Sequence, residues 1–217
     1  YRLLEYMLSV INGATMEHVR LYIEQNCEIY SRDEDFTKVI VPSALQSCCE
    51  VYNDKFTKGQ KSDILGREKE IKQLWNIFSK KIKRNAIITG KPGVGKSALI
   101  ECMTQDIVNG TCPKRFSGYT VIWFDIEASV AGTKYRGEFE AKVAMLKKFI
   151  EKTPKVILVI DEIHRIFGVG STEGNSDDLS GALKSTLARG DAIVVGTTDC
   201  YEKIANHDAA FKRRFEV

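Results

Sequence analysis

No apolar run in this 217-residue chain approaches the ~20 residues that a membrane-spanning helix needs. No stretch has the order of a secretory signal, basic, then apolar, then small. Metal-site spacings are missing as well. The six cysteines, Cys27, Cys48, Cys49, Cys102, Cys112 and Cys200, include no C-x-x-C pair. His18, His164 and His207 do not stand at ligand spacing from them, which argues against a zinc centre. Scattered thiols of this kind fit reduced cysteines, so a cytoplasmic setting is expected, with an organelle left open. Charge is nearly balanced, 32 basic against 29 acidic residues for a net +3, and exerts no general pull toward nucleic acid or a membrane surface. There is no internal repeat and no low-complexity segment. What remains, 43% hydrophobic and 28% charged, is ordinary for a globular protein. The chain starts at Tyr1 rather than Met, as expected of a piece of a longer protein.

The stretch Gly90-Lys91-Pro92-Gly93-Val94-Gly95-Lys96-Ser97 fits G-x-x-x-x-G-K-[ST]. Its flanks have the right character. Ala86–Thr89 is a short apolar run, and Ala98–Met103 opens a helix expected to reach Val108. Strand, glycine loop and helix together distinguish a phosphate loop from a chance match. Glycines let the backbone wrap so that its N–H groups point at phosphate oxygens, and the helix start adds its positive dipole end. Pro92, Gly93, Val94, Gly95, Lys96 and Ser97 are therefore candidate nucleotide-binding residues. Lys96 would reach the terminal phosphates, and the Ser97 hydroxyl would take a position on magnesium. The expected ligands are ATP and Mg2+. No Asn-Lys-x-Asp motif for reading guanine is present.

Ahead of this loop, Leu3, Leu4, Met7, Leu8 and Ile11 make one helical stripe, and Val19, Tyr22 and Ile23 a second. Residues 1–35 are expected to be a small helical segment. A helix is expected to start near Pro42 and to carry Leu45, Cys48, Cys49, Val51 and Tyr52. Residues 36–61 are expected as a linker, ending in the polar Thr57–Ser62 run, and residues 62–217 as the nucleotide-binding domain. Within it, helix Glu68–Lys81 precedes strands at Ala86–Thr89, Thr120–Phe124, Val156–Ile160 and Ala192–Val195. Helices are expected at Glu138–Glu151 and Leu179–Arg189. Continuous apolar strands separated by helices imply an α/β fold, a parallel sheet covered on both faces.

The strand Val156–Ile160 runs into Asp161-Glu162. Asp161 at the strand end would hold magnesium, and Glu162 would polarise a water toward the γ-phosphate. The tetrapeptide Asp161-Glu162-Ile163-His164, taken with the phosphate loop, resembles the Clp family of AAA+ protein unfoldases over residues 62–217. That resemblance implies an AAA+ P-loop core. Ile64-Leu65-Gly66-Arg67-Glu68 is similar to the family's box whose backbone at Ile64 and Leu65 contacts adenine. Ala131–Glu140 is similar to its first pore loop, which makes Tyr135, flanked by Lys134 and Arg136, the residue that would grip a translocating polypeptide. An exposed ring between two cations can press on a chain without reading its sequence. Phe167–Asp177 matches the second pore loop in position only.

The same resemblance assigns a water-orienting sensor to the strand end Thr197-Thr198, with Thr198 favoured. Arg213-Arg214 corresponds to the paired arginines that act on the nucleotide of a neighbouring subunit. Arginine suits that work, because its charge is permanent and its fork meets two phosphate oxygens. The catalytic set is thus Glu162, Thr198, Arg213 and Arg214. Residues 1–35 resemble only loosely the end of a Clp amino-terminal domain. The family's small helical lid would follow Val217, so the stretch is expected to stop before it. Implied partners are further copies of the chain in a ring of six, unfolded or tagged proteins, and a Clp-type peptidase, with degradation and disaggregation both open. Neither nucleic acid nor membrane is expected as a partner. Two other readings stand beside this one: a nucleic-acid motor or clamp-loader-like ATPase, and a nucleotide-binding regulatory adaptor without turnover.

Overall fold

Val156–Ile160 is the central strand, and every one of its five side chains is buried. Alternate residues face opposite ways along a strand. Val156, Leu158 and Ile160 thus join one apolar cluster, and Ile157 and Val159 the other. Each such side chain contributes about 1.5–3 kcal/mol by leaving water. A strand buried on both faces reads as a continuous aliphatic run, as this one does.

The computed structural model describes residues 39–59, 66–131, 136–167, 192–202 and 209–217, together with positions 181, 183, 184, 187, 190 and 204. The chain divides into two units, Tyr1–Lys38 and Val39–Val217. The first, with the helices expected in residues 1–35, lies outside the described residues. So does most of the helix expected at Leu179–Arg189.

The second unit holds strands β1 (Cys49–Val51), β2 (Asn85–Thr89), β3 (Thr120–Phe124), β4 (Val156–Ile160), β5 (Ile193–Thr198) and β6 (Phe215–Glu216). They form one sheet in the order β1-β3-β4-β5-β2-β6. All pairings are parallel except β1 with β3. The α/β expectation therefore holds. Helices α1 (Glu68–Phe78) and α2 (Lys96–Asn109) cover one face, where Leu74, Trp75, Phe78, Ile100 and Met103 pack on Ile157, Val159 and Val195. Helices α3 (Ile126–Val130), α4 (Arg136–Lys152) and α5 (Ala209–Lys212) belong to the other side. There Leu146, Ile150 and Phe211 join Leu158, Ile160 and Val194.

The amino-terminal part of this unit departs from expectation. In place of a helix over residues 43–52 the chain makes a 3-10 turn at Ser43–Leu45, the strand β1, and a second 3-10 turn at Tyr52–Lys55. The apolar residues that suggested a helix instead reach the sheet edge. Cys49 pairs with Phe124 and Val51 with Ile122, while Tyr52 stacks on Trp123 with centroids 5.0 Å apart. Asn53 locks the arrangement: its Nδ2 donates to Tyr119 O at 3.1 Å and its Oδ1 accepts from Val121 N at 2.7 Å. Within the stretch expected as a linker, residues 39–59 thus belong to the sheet and its margin. No helix among the described residues is long and apolar enough to cross a membrane.

Candidate functional site

Because β4, β5 and β2 are parallel neighbours, their carboxyl ends share one edge of the sheet. Each delivers a different piece of chemistry there. The phosphate loop follows β2, Asp161-Glu162 follows β4, and Thr197-Thr198 closes β5. The strand with the threonines lies between the other two. Register fixes the alignment, with Thr89 opposite Thr198 and Ile160 opposite Gly196. The ladder continues into the loop, where Gly90 N donates to Thr198 O at 3.2 Å.

The loop from Gly90 to Gly95 turns twice through left-handed backbone, at Gly93 (φ 79°) and Gly95 (φ 91°), where a side chain would be strained. Gly95 is the N-cap of the 14-residue α2 and supplies no side-chain cap. The first N–H groups of that helix are therefore left for a ligand. Lys96 Nζ donates to Gly90 O at 2.8 Å and to Lys91 O at 3.2 Å, so its ammonium lies against the loop itself. Pro92, Gly93, Val94 and Ser97 are exposed. Arg67 adds a brace that the motif did not reveal: its Nη2 donates to Val94 O at 2.7 Å, and its Nη1 pairs with Glu70 at 3.0 Å. That pair and Glu70's own backbone hold the Glu70 carboxyl below its ordinary range, the backbone hydrogen bond contributing most.

At the end of β4, Thr197 Oγ1 donates to Asp161 Oδ1 and accepts from Glu162 N at 3.1 Å. Glu162 N also lies 3.1 Å from Asp161 Oδ1. Thr197 is fully buried, so this hydroxyl is a fixed part of the acid pair's support. Thr198, also fully buried, has different contacts. Its Oγ1 lies 3.0 Å from His164 Nδ1 and accepts from Cys200 N at 3.1 Å. Glu162 adopts a left-handed backbone, φ 47°, a conformation that costs of the order of 1–3 kcal/mol in a non-glycine residue. The turn is held by Arg165 N donating to Glu162 O at 2.8 Å, and the Arg165 guanidinium pairs with the carboxylates of Glu162 and Glu127.

Arg213 and Arg214 do not join this cluster. They precede β6, whose Phe215 pairs with Asn85 at the start of β2, the end opposite the phosphate loop. Five residues at ~3.3 Å each separate the two ends. Ile64, Leu65, Lys134 and Tyr135, and most of the Phe167–Asp177 stretch, lie outside the described residues. The backbone of Arg136 opens α4, but its side chain is likewise outside them.

The donor set fits a magnesium nucleotide. Among the described residues no group of three or more His, Cys, Asp or Glu side chains makes a self-sufficient metal site. Magnesium is commonly held by one or two protein ligands completed by phosphate and water. Ser97 at the start of α2 and Asp161 at the end of β4 offer that kind of incomplete set. Sequence reasoning missed Arg67, Thr197's contact with Asp161, and the roles of His164 and Arg165 in the turn. Arg67 shows only as a member of the Ile64–Glu68 box, and His164 and Arg165, two and three residues past Glu162, were the available signal for the turn.

The fold and this edge define a P-loop nucleoside triphosphatase. Residues 86–217 match the model of the ATPase family associated with various cellular activities (AAA), and the chain belongs to that family. Within it the chain is an ATPase module of the Clp type. It is 36% identical over 224 residues to the chaperone protein ClpB of Enterococcus faecalis, covering 100% of this chain and 25% of the relative. With the ATP-binding subunit ClpC of the Clp protease of Staphylococcus saprophyticus the figure is 42% over 160 residues, 73% of this chain and 19% of the relative. A closed-state reconstruction of Hsp104 with ATPγS and FITC casein has a TM-score of 0.69 at 34% identity, covering 80% of this chain and 30% of that one. The chain spans a quarter or less of the curated relatives' length.

Proposed function

We propose that this chain is the ATP-binding and ATP-hydrolysing module of a Clp-type unfoldase that threads substrate proteins through a ring pore, for degradation or disaggregation. The observation that carries the reading is the convergence of the Lys96 loop, Asp161-Glu162 and Thr197 on one sheet edge. The open N–H groups of α2 and Lys96 bind and orient the phosphates. Magnesium, when bound through Ser97 and Asp161, neutralises phosphate charge. Glu162 accepts the proton of the attacking water, and the hydroxyl of Thr198 orients that water, with Thr197 holding the acid pair in place. Ile64 and Leu65 contact adenine through their backbone.

The arginine pair serves a different nucleotide. Arg213 and Arg214 stand at the far end of β2 from their own loop, so they reach phosphates held by an adjacent copy. This favours a homo-hexameric ring whose hydrolysis depends on assembly. Tyr135, with Lys134 and Arg136, lines the pore and grips the polypeptide. The casein named with Hsp104 supports a protein substrate. Residues 1–35 are the remnant of an amino-terminal recruiting domain, residues 62–217 carry the large ATPase subdomain, and the setting is cytoplasmic.

The test is the unfolding of a stably folded, tagged reporter by the full-length protein, with ATP and with a non-hydrolysable analogue. ATP-dependent loss of the reporter's fold is the expected result. Hydrolysis without unfolding, accompanied by a salt-dependent affinity for DNA, would overturn it in favour of a nucleic-acid motor.

A further inference from the structure

A second basic feature stands at the opposite end of the sheet from the phosphate loop. A cavity of about 540 Å3 opens between the loop that joins α1 to β2 and the turn before β6. Lys81, Lys83 and Arg84 line it from one side, and Arg213 and Arg214 from the other. Its size lies within the ~300–1,000 Å3 of small-ligand pockets. No carboxylate among the described residues lines it, and none of the five cations is ion-paired among them. Asp191, next to the lining Gly190, lies outside the described residues. Even counted against the site, it leaves five cations to one carboxylate.

Two details mark this wall as more than a solvated basic turn. Arg84 donates from Nη2 to Gly190 O at 3.1 Å, which anchors its guanidinium, yet its Nε is buried without a hydrogen-bond partner. A buried donor without a partner is unfavourable, so a phosphate oxygen that reaches this one gains a hydrogen bond at little desolvation cost. Asn85 fixes the other side. Buried at the start of β2, it donates from Nδ2 to Arg214 O at 3.1 Å and accepts at Oδ1 from Val194 N at 2.9 Å. The Arg213-Arg214 turn is thereby held against the same strand that begins after Arg84.

We infer that the cavity between Lys81–Arg84 and Arg213-Arg214 is a phosphate-binding site, in which Lys83 and Arg84 act together with the arginine pair. Guanidinium and ammonium groups that line one cavity, with no carboxylate among its described lining residues, suit clustered phosphate oxygens. The phosphates come either from the nucleotide of an adjacent copy, an arm that rests on the function proposed above, or from a separate phosphate-bearing ligand.

Lys83 provides a clean probe, because its backbone is left-handed (φ 55°). Glycine prefers that conformation, so Lys83→Gly removes the charge while keeping the turn. Arg84→Gln is the second variant. In a Lys96→Ala background, which disables the phosphate loop, the protein is titrated calorimetrically with inorganic tripolyphosphate. A binding event that Lys83→Gly and Arg84→Gln each weaken at least fivefold supports a site for a separate ligand. In assembled rings carrying Glu162→Gln, a fivefold or larger rise in the ATP concentration needed for occupancy with Lys83→Gly supports the adjacent nucleotide as the source. If both variants leave tripolyphosphate binding and ATP occupancy unchanged, the site does not exist. Arg213→Ala separates the two ideas. Lost hydrolysis in Arg213→Ala with no effect of Lys83→Gly or Arg84→Gln overturns this inference and spares the proposed function. Retained hydrolysis in Arg213→Ala, with tripolyphosphate binding weakened by Lys83→Gly, Arg84→Gln and Arg213→Ala alike, does the reverse.

Discussion

Gly196 leaves the space that Ile163 fills. A Cβ at Gly196 would lie 2.6 Å from Ile163 Cδ1 and Cγ2 and 2.9 Å from its Cβ. Ile163 directly follows Glu162, so the turn bearing the acid pair closes onto β5 at a residue whose lack of a side chain makes room for it. Gly196→Ala is expected to push that turn away from the threonines. The cost should be about 1–3 kcal/mol of stability, with a loss of ATP turnover larger than the loss of nucleotide affinity. Thermal unfolding and steady-state hydrolysis on the same preparation would check both.

Glu162→Gln keeps the shape of the side chain and removes its basicity. ATP should still bind, while hydrolysis falls by ~10²-fold or more. Fluorescent-nucleotide titration and phosphate release measure the two separately. Unchanged turnover would remove Glu162 from its assigned role.

The two threonines of β5 can be told apart. Thr197→Val removes the hydroxyl that meets Asp161 and Glu162 N, whereas Thr198→Val removes the partner of His164 and Cys200 N. Thr197→Val should loosen the acid pair and lower stability by roughly 1 kcal/mol, since it removes hydrogen bonds to part-buried polar groups. Thr198→Val should reduce kcat with little change in ATP affinity. A Thr198→Val variant with normal kcat would shift the sensor role to Thr197.

Asn85→Ala takes a donor from Arg214 O and an acceptor from Val194 N in a buried setting. The expected destabilisation is about 2 kcal/mol or more, visible as a lower denaturation midpoint. In assembled rings, hydrolysis should fall with it, because the arginine turn loses its anchor.

Much of this was legible from residues alone, for physical reasons. Val156–Ile160 announces itself because both faces are covered, and Gly90–Ser97 because few residue types meet the backbone demands of a phosphate loop. The limits are equally physical. Cys49-Glu50-Val51 is too short to show a period, and its strand state comes from pairing with Ile122–Phe124, some 70 residues on. The insertion of β5 between β2 and β4 is a matter of topology, so nothing local in Ile193–Thr198 discloses that Thr197 will meet Asp161. The Arg67 brace on Val94 and the Asn85 clamp on Arg214 are long-range contacts made by residues of ordinary local appearance.

The strand β2 has the phosphate loop at one end and the Asn85 clamp on Arg214 at the other. If each copy completes its neighbour's nucleotide site, damage to Arg213 is a lesion expressed in the adjacent subunit. A wild-type chain seated beside an Arg213→Ala chain would then lose a site although its own sequence is intact, making such an allele dominant in a mixed population. Conversely, Lys96→Ala and Arg213→Ala chains, each inactive as a uniform ring, would complement one another when mixed, because some junctions would pair an intact loop with an intact arginine.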